Sequence, residues 1–294
     1  MKCAAPSVSS NVSARCSTAW PNSADSCAGP TGGTLTATLI ELNIYPFKSG
    51  GRTSLRSAEL LATGLRYDRE FMLVTPEGRF LSQRDHAEMA LLRPSYDGEI
   101  LTVRAPDVPA LVHKATSDGE VRDVTLARSE CQGVDQGDEA AAWFSDLLDR
   151  DCRLVRFTGH RPTRRGGGEV MFADGYPLLL ISAESLADLN GRLAEPLPMT
   201  RFRPSLVVEG LGAFGEDSAR LLRVGETVIE AVKPCSRCII TTTDQDTAER
   251  GREPLRTLAT YRTRDRGIQF GQNCVPRSLG TLRLGDRVEV LEAL

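Results

Sequence analysis

The densest run of reactive side chains in this 294-residue chain is KPCSRCIITTTD, where Cys235 and Cys238 flank Ser236 and Arg237 ahead of a β-branched segment. Cysteines at this spacing support several chemistries. A structural zinc site needs a second ligand pair, and neither Cys274 nor the scattered His86, His113 and His160 supplies one. A dithiol redox pair belongs at the N-terminus of a helix, whereas IITTT is poor helix material and predicts a strand over Ile239–Thr243. Two small buried residues without chemistry are a third reading. The fourth is one thiolate presented from a strand or loop to a soft metal, with Lys233 and Arg237 beside it to favour the ionised sulfur.

A single protein thiolate is a poor cage for a metal. The remaining ligands then come from a cofactor, and an anionic cofactor requires Lys and Arg groups converging from distant parts of the chain. Lys48 in YPFKSG, Arg69 in YDREFMLV and Arg203 in TRFRPSLVV have that chemistry, although such a residue taken singly is more often a surface charge. The Gly-rich HRPTRRGGGE adds His160 and three arginines, as a solvated loop or as a lip facing an anion. None of the three histidines is given an acid–base role.

The elements that must position these groups are mostly strands. Turn signals such as Pro76-Glu77-Gly78 and Asp97-Gly98 separate short apolar, β-branched pieces at Leu55–Leu60, Arg69–Thr75, Arg79–Ser82, Glu99–Arg104 and Val121–Leu126. A helix is predicted over DEAAAWFSDLLDR, with Trp143, Phe144, Leu147 and Leu148 on one face. A second runs over Ala183–Leu193 with Ser182 as N-cap, and a short one over Leu255–Tyr261. Further strands follow at Cys152–Phe157, Leu206–Glu209, Thr227–Val232 and Arg287–Leu291. The pattern predicts compact β-sheet or barrel units bridged by the first helix.

Composition narrows the function classes. With 36 basic and 39 acidic residues the net charge is −3, and no long basic block supports a nucleic-acid partner. No run approaches the ~20 apolar residues of a membrane-spanning helix. Eight cysteines, at 3, 16, 27, 131, 152, 235, 238 and 274, are too sparse for a disulfide scaffold and suggest a reducing, cytoplasmic setting. Residues 1–35 are Ser-rich and acid-poor and read as a disordered leader, with organelle targeting or an early start codon as alternatives.

In order and spacing, YPFKSG, YDREFMLV, PLLLISAESLADLNGRL, FRPSLVV, CSRCIITTTD and IQFGQN resemble the proteins in which a MOSC N-terminal β-barrel precedes a MOSC domain, the family of the mitochondrial amidoxime-reducing component and its bacterial relatives. The resemblance covers Thr36 to Leu294. It implies an α+β, β-rich fold: a MOSC β-barrel core, an N-terminal MOSC-associated barrel or sheet domain, and a few peripheral helices. The domains implied are 36–150 and 151–294, after the leader 1–35, with a cofactor at their junction.

That cofactor is molybdenum held by a pyranopterin dithiolene, two oxygen ligands and one cysteine. Cys238 matches the ligating position and Cys235 its non-ligand neighbour. Lys48, Ser49, Arg69 and Arg203 match positions that embrace the phosphate and pterin, and Asp174, Gly175 and Tyr176 a loop that approaches them through its backbone. Ser236, Arg237, Gly271, Gln272 and Asn273 align with lining positions, although relatives carry an aromatic residue at the last. The activity implied is reduction of N-hydroxylated compounds such as amidoximes by a monomer. The chain has no dinucleotide, haem or iron–sulfur motif, so electrons come from a separate donor: a b-type cytochrome, a ferredoxin or a flavin reductase. The alternative is a carrier of the cofactor or its sulfur without turnover, because MOSC domains also end cofactor sulfurases.

Overall fold

A computed structural model describes residues 37–126, 129–265 and 267–294. The expectation for the leader lies outside these residues. Seven strands close into a barrel, in the order Leu178–Ser182, Leu206–Glu209, Ala37–Ile44, Arg287–Ala293, Ala219–Val224, Thr227–Ser236 and Gly267–Pro276, the last pairing back to the first. Only Leu178–Ser182 and Leu206–Glu209 run parallel, which requires a crossover; helix Ala183–Asn190 and the 3₁₀ turn Met199–Phe202 supply it. Ser182 caps that helix, its hydroxyl accepting the Ser185 N–H at 3.1 Å.

Leu39, Leu42, Leu180, Leu206, Leu222 and Ile229 fill the barrel interior. In the first strand Leu39 and Leu42 both point inward because the register shifts between Leu39 and Glu41, a bulge that adds one residue to the alternation. A four-stranded sheet packs alongside, in the order Phe71–Val74, Arg153–Thr158, Ser129–Asp135 and Val121–Leu126. It shares the second core with helix Asp138–Leu148, whose Phe144 stacks on Phe47 at 5.4 Å.

The barrel brings the motifs to one end. Ala37–Ile44 and Leu206–Glu209 are antiparallel, so the loop after the first strand and the residues before the other meet, with Asn43 N donating to Ser205 O at 2.9 Å. The segment before Leu178 arrives at the same end, because its strand is parallel to Leu206–Glu209.

Three expectations need correction. Ile239–Thr242 is a 3₁₀ turn and no strand: the hydroxyls of Thr241 and Thr242 donate to the carbonyls of Cys238 and Ile239 at 2.9 and 2.8 Å, local bonds that override β propensity. Arg79–Ser82 forms only isolated bridges, Phe80 with Val74 and Arg79 with Thr125, because the turn at Pro76–Gly78 brings it back beside Val74 while its next residues pass between two different strands. The second helix stops at Asn190, before Leu193, where Gly191 ends it.

Candidate functional site

Tyr45 leaves the first barrel strand fully buried, its hydroxyl donating to Pro204 O at 3.3 Å. Burial pushes its pKa up to about 12. Two guanidinium groups lie against its ring, Arg69 at 4.3 Å and Arg203 at 4.2 Å from the centroid. Arg69 pairs with buried Asp68, whose carboxyl pKa is raised by burial against the opposing charge of Arg69. Arg203 donates Nη1 to Gly50 O at 2.5 Å, and burial lowers its pKa to about 10. Ser49, Arg69 and Arg203 all take left-handed backbone conformations, with φ of 69°, 51° and 56°. Such backbone costs about 1–3 kcal/mol per non-Gly residue and persists where the surroundings over-determine it.

Lys48, in the loop that follows Tyr45, is also buried. Its Nζ donates to Phe172 O at 2.9 Å and pairs with Asp174 Oδ1 at 2.6 Å. Burial lowers the Lys48 pKa, while Lys48 holds the Asp174 carboxyl well below the usual range. Arg161 clamps this segment from behind, donating to Met171 O and Ala173 O, each at 2.6 Å. Among the described residues, Lys48, Arg69, Arg161 and Arg203 thus face only two carboxylates, Asp68 and Asp174, and two of the cations are answered mainly by carbonyl oxygens.

The cysteine motif reaches this cluster through its neighbours. Arg201 Nη1 donates to Thr242 O at 2.9 Å and Arg237 Nη2 to Phe202 O at 2.7 Å, which ties the 235–244 segment to the turn that carries Arg203. Arg237 Nη1 lies 3.0 Å from Cys235 Sγ, and its Nε is buried without a partner. Cys238 is half-buried, and Arg84 Nη2 approaches its Sγ at 3.9 Å. On the Asp174 side of the cluster lies a polar cavity of about 230 Å³, lined by Glu130, His160, Arg161, Arg164, Asp174 and Gly175. A larger apolar cleft, between Leu55 and Tyr96, shares none of the candidate residues.

Other candidates are engaged elsewhere. Ser236 accepts from Gln269 Nε2 at 3.0 Å, and Gln272 donates to Asp217 at 2.7 Å. Asn273 donates to Pro234 O at 3.3 Å, and Gly271 packs against Leu180 and Ile181. Tyr176 is half-buried, which raises its pKa.

Residues 36–151 match the MOSC N-terminal beta barrel domain and 167–289 the MOSC domain. Mitochondrial amidoxime-reducing component 1 of Mus musculus is 34% identical over 279 residues, 86% of this chain and 82% of that protein. The chain belongs to the family of MOSC-domain proteins with a MOSC N-terminal β-barrel. Component 1 of Homo sapiens is likewise 34% identical, across 86% of this chain and 83% of its own length. A molybdenum cofactor sulfurase of Oryza sativa subsp. japonica is 34% identical over 79% of this chain but only 32% of that protein.

Within this MOSC site, sequence reasoning misses three residues, Tyr45, Gln83 and Arg84, and reaches a fourth, Arg161, only as part of the basic loop read as solvated or as an anion-facing lip. Tyr45 lies in YPFKSG but carries no charge to draw notice, and Arg161 is one of three arginines in a Gly-rich loop. Gln83 and Arg84 come from a turn with no motif at all. Basic residues adjoining a predicted strand break are the only available signal.

Proposed function

We propose that this protein is a molybdenum-cofactor-dependent oxidoreductase that reduces N-hydroxylated compounds, with electrons from a separate donor protein. The observation that carries this reading is the convergence of Lys48, Arg69 and Arg203, from three distant segments, on one end of the barrel that Cys238 also approaches. The residues present fit the cofactor. Positive charge exceeds negative there, Arg237 Nε lacks a partner, and open space surrounds Gly175.

Lys48, Arg69 and Arg203 would hold the phosphate through charge-assisted hydrogen bonds, and Ser49 with Asp174–Tyr176 would contribute backbone groups. Cys238 would be the protein's ligand to the metal, lined by Ser236, Arg237, Gly271, Gln272 and Asn273. When bound, the cofactor supplies a two-electron centre for oxygen-atom transfer. The overall reaction consumes two electrons and two protons, converting R–NH–OH to R–NH2 and water. The chain's own part is to orient the substrate and fix the field around the reacting N–O bond. The segments 36–150 and 151–294, which exchange strands in that Ala37–Ile44 lies in the barrel and Arg153–Thr158 in the four-stranded sheet, would grip the cofactor between them.

The rice sulfurase relative supports a second reading, a cofactor or sulfur carrier without turnover. Purification from a cofactor-producing host, with molybdenum counted per chain and dye-driven benzamidoxime reduction assayed, separates the two. The enzyme reading expects near-stoichiometric molybdenum, turnover, and loss of turnover in Cys238→Ala. Bound molybdenum without turnover, or a Cys238→Ala variant with full activity, counts against it.

A further inference from the structure

Arg84 occupies a position that the cofactor-holding set does not explain. Its Nη2 lies 3.9 Å from Cys238 Sγ, and its side chain is exposed. The turn that carries it is fixed at its base. The Arg84 N–H donates to Ser82 Oγ at 3.1 Å, and the N–H groups of Asp85 and His86 donate to Ser82 O at 3.1 and 2.9 Å. Neighbouring Gln83 is fully buried and knits three segments together. Its Nε2 donates to Ser49 O at 2.7 Å, its Oε1 accepts from Gln245 Nε2 at 3.2 Å, and its carbonyl accepts from Arg250.

Three other cations nearby already have partners. Lys48 is paired with Asp174, Arg69 with Asp68, and Arg237 with Cys235 Sγ and Phe202 O. Arg84 forms no ion pair with a carboxylate among the described residues; its one side-chain hydrogen bond is to the thiol, and the Asp174 carboxylate feels its charge only at longer range. A rigidly based guanidinium with uncommitted donors beside the reactive sulfur is a recognition group for a carboxylate or other oxyanion.

We propose that Arg84 selects anionic substrates at the mouth of the Cys238 site, favouring N-hydroxylated compounds that carry a carboxylate over neutral ones. The substrate class rests on the function proposed above; the charge selection at Cys238 does not.

The test compares two alkylating reagents of similar size, anionic iodoacetate and neutral iodoacetamide, on the full chain made in a host without the cofactor. Adducts at Cys238 are counted by peptide mass spectrometry. Both reagents attack the same thiolate at one pH, so the ratio of their rates reports local charge and is independent of how much thiolate is present. Arg84→Met is expected to lower the iodoacetate-to-iodoacetamide ratio about three- to tenfold, the scale of one unit charge a few ångströms away near a surface. Arg84→Lys should keep most of the wild-type ratio, and Arg84→Glu should lower it further.

In the loaded protein, Arg84→Met should raise KM for para-carboxybenzamidoxime, relative to KM for benzamidoxime, by a similar factor. An unmoved alkylation ratio overturns the proposal, as does Arg84→Lys behaving like Arg84→Met, or failure of both reagents to reach Cys238. If the alkylation ratio shifts but the chain holds no molybdenum, the function reading fails and the charge selection stands. If molybdenum binds and turnover occurs with both ratios unmoved, only Arg84's role falls.

Discussion

Arg69 and Arg203, 134 residues apart in sequence, lie against the ring of the same tyrosine, and Arg69 Nη2 donates to the Arg203 carbonyl at 3.4 Å. Two guanidinium groups so placed repel, and Asp68 answers only Arg69 directly. The lowered pKa of Arg203 reflects the cost of burying a cation that lacks an anionic partner. A bound phosphate would remove that cost.

Arg203→Met is therefore expected to weaken retention of the cofactor by about 10- to 100-fold, the equivalent of one charge-assisted contact of about 1.5–3 kcal/mol. The cofactor-free variant should melt at the same temperature as the wild type or slightly above it, because a like charge has been removed. Molybdenum per chain after dialysis and calorimetric Tm read the two effects separately. Full metal retention by the variant would count against a phosphate grip at Arg203.

The Lys48–Asp174 pair gives a pH dependence with a definite sign. Lys48 holds the Asp174 carboxyl below its unfolded pKa of about 3.9, so the pair's contribution is complete above that pH and is lost as pH falls through the lowered folded value. Because 73% of the Asp174 side chain is exposed, the contribution should be modest, about 0.5–1 kcal/mol. Urea melts of wild type and Asp174→Asn should differ by this amount at pH 7 and converge below about pH 4. A difference that stays constant down to pH 3 would show that the ion pair is not its source.

Tyr45 should titrate late. With its pKa pushed up to about 12 by burial, its contribution to stability is intact below the unfolded value of about 10 and falls as pH rises towards 12. Tyr261 shares a pKa of about 12, so the phenolate absorbance that appears latest should come from both tyrosines, and Tyr45→Phe should remove about half of it. The substitution keeps the ring under the two arginines and removes only the bond to Pro204 O, costing about 1 kcal/mol.

The sequence speaks clearly where pattern and burial agree. Helix Asp138–Leu148 and strand Leu206–Glu209 appear as expected, because a 3.6-residue apolar stripe and a β-branched run each have one good solution. Strand Gly267–Pro276 is not legible in the same way. Its Gly, Gln and Asn residues have little β propensity, and it forms because pairing on both sides closes the barrel. The threonines after Cys238 mislead in the opposite direction, since their hydroxyls bond locally and hold a 3₁₀ turn. At the site, Lys48, Arg69 and Arg203 stand out by charge and motif. Arg84 does not, because only the folded turn brings position 84 to position 238.

Two glycines among the candidates should part company when alanine replaces them. Gly271 has φ of +80°, and an added Cβ would come 2.6 Å from Ile181 Cγ1 and 2.9 Å from the Leu180 carbonyl oxygen. The carbonyl belongs to a paired barrel strand and cannot yield cheaply, so left-handed strain and overpacking together should cost about 2–4 kcal/mol. Around Gly175 no atom lies within 4 Å of such a Cβ, so the fold should tolerate Gly175→Ala with little change in Tm. Any loss in the second variant should instead appear as lower molybdenum content, because the methyl group enters the space beside Asp174 where the proposed cofactor would lie. Equal thermal destabilisation of both variants would contradict this separation.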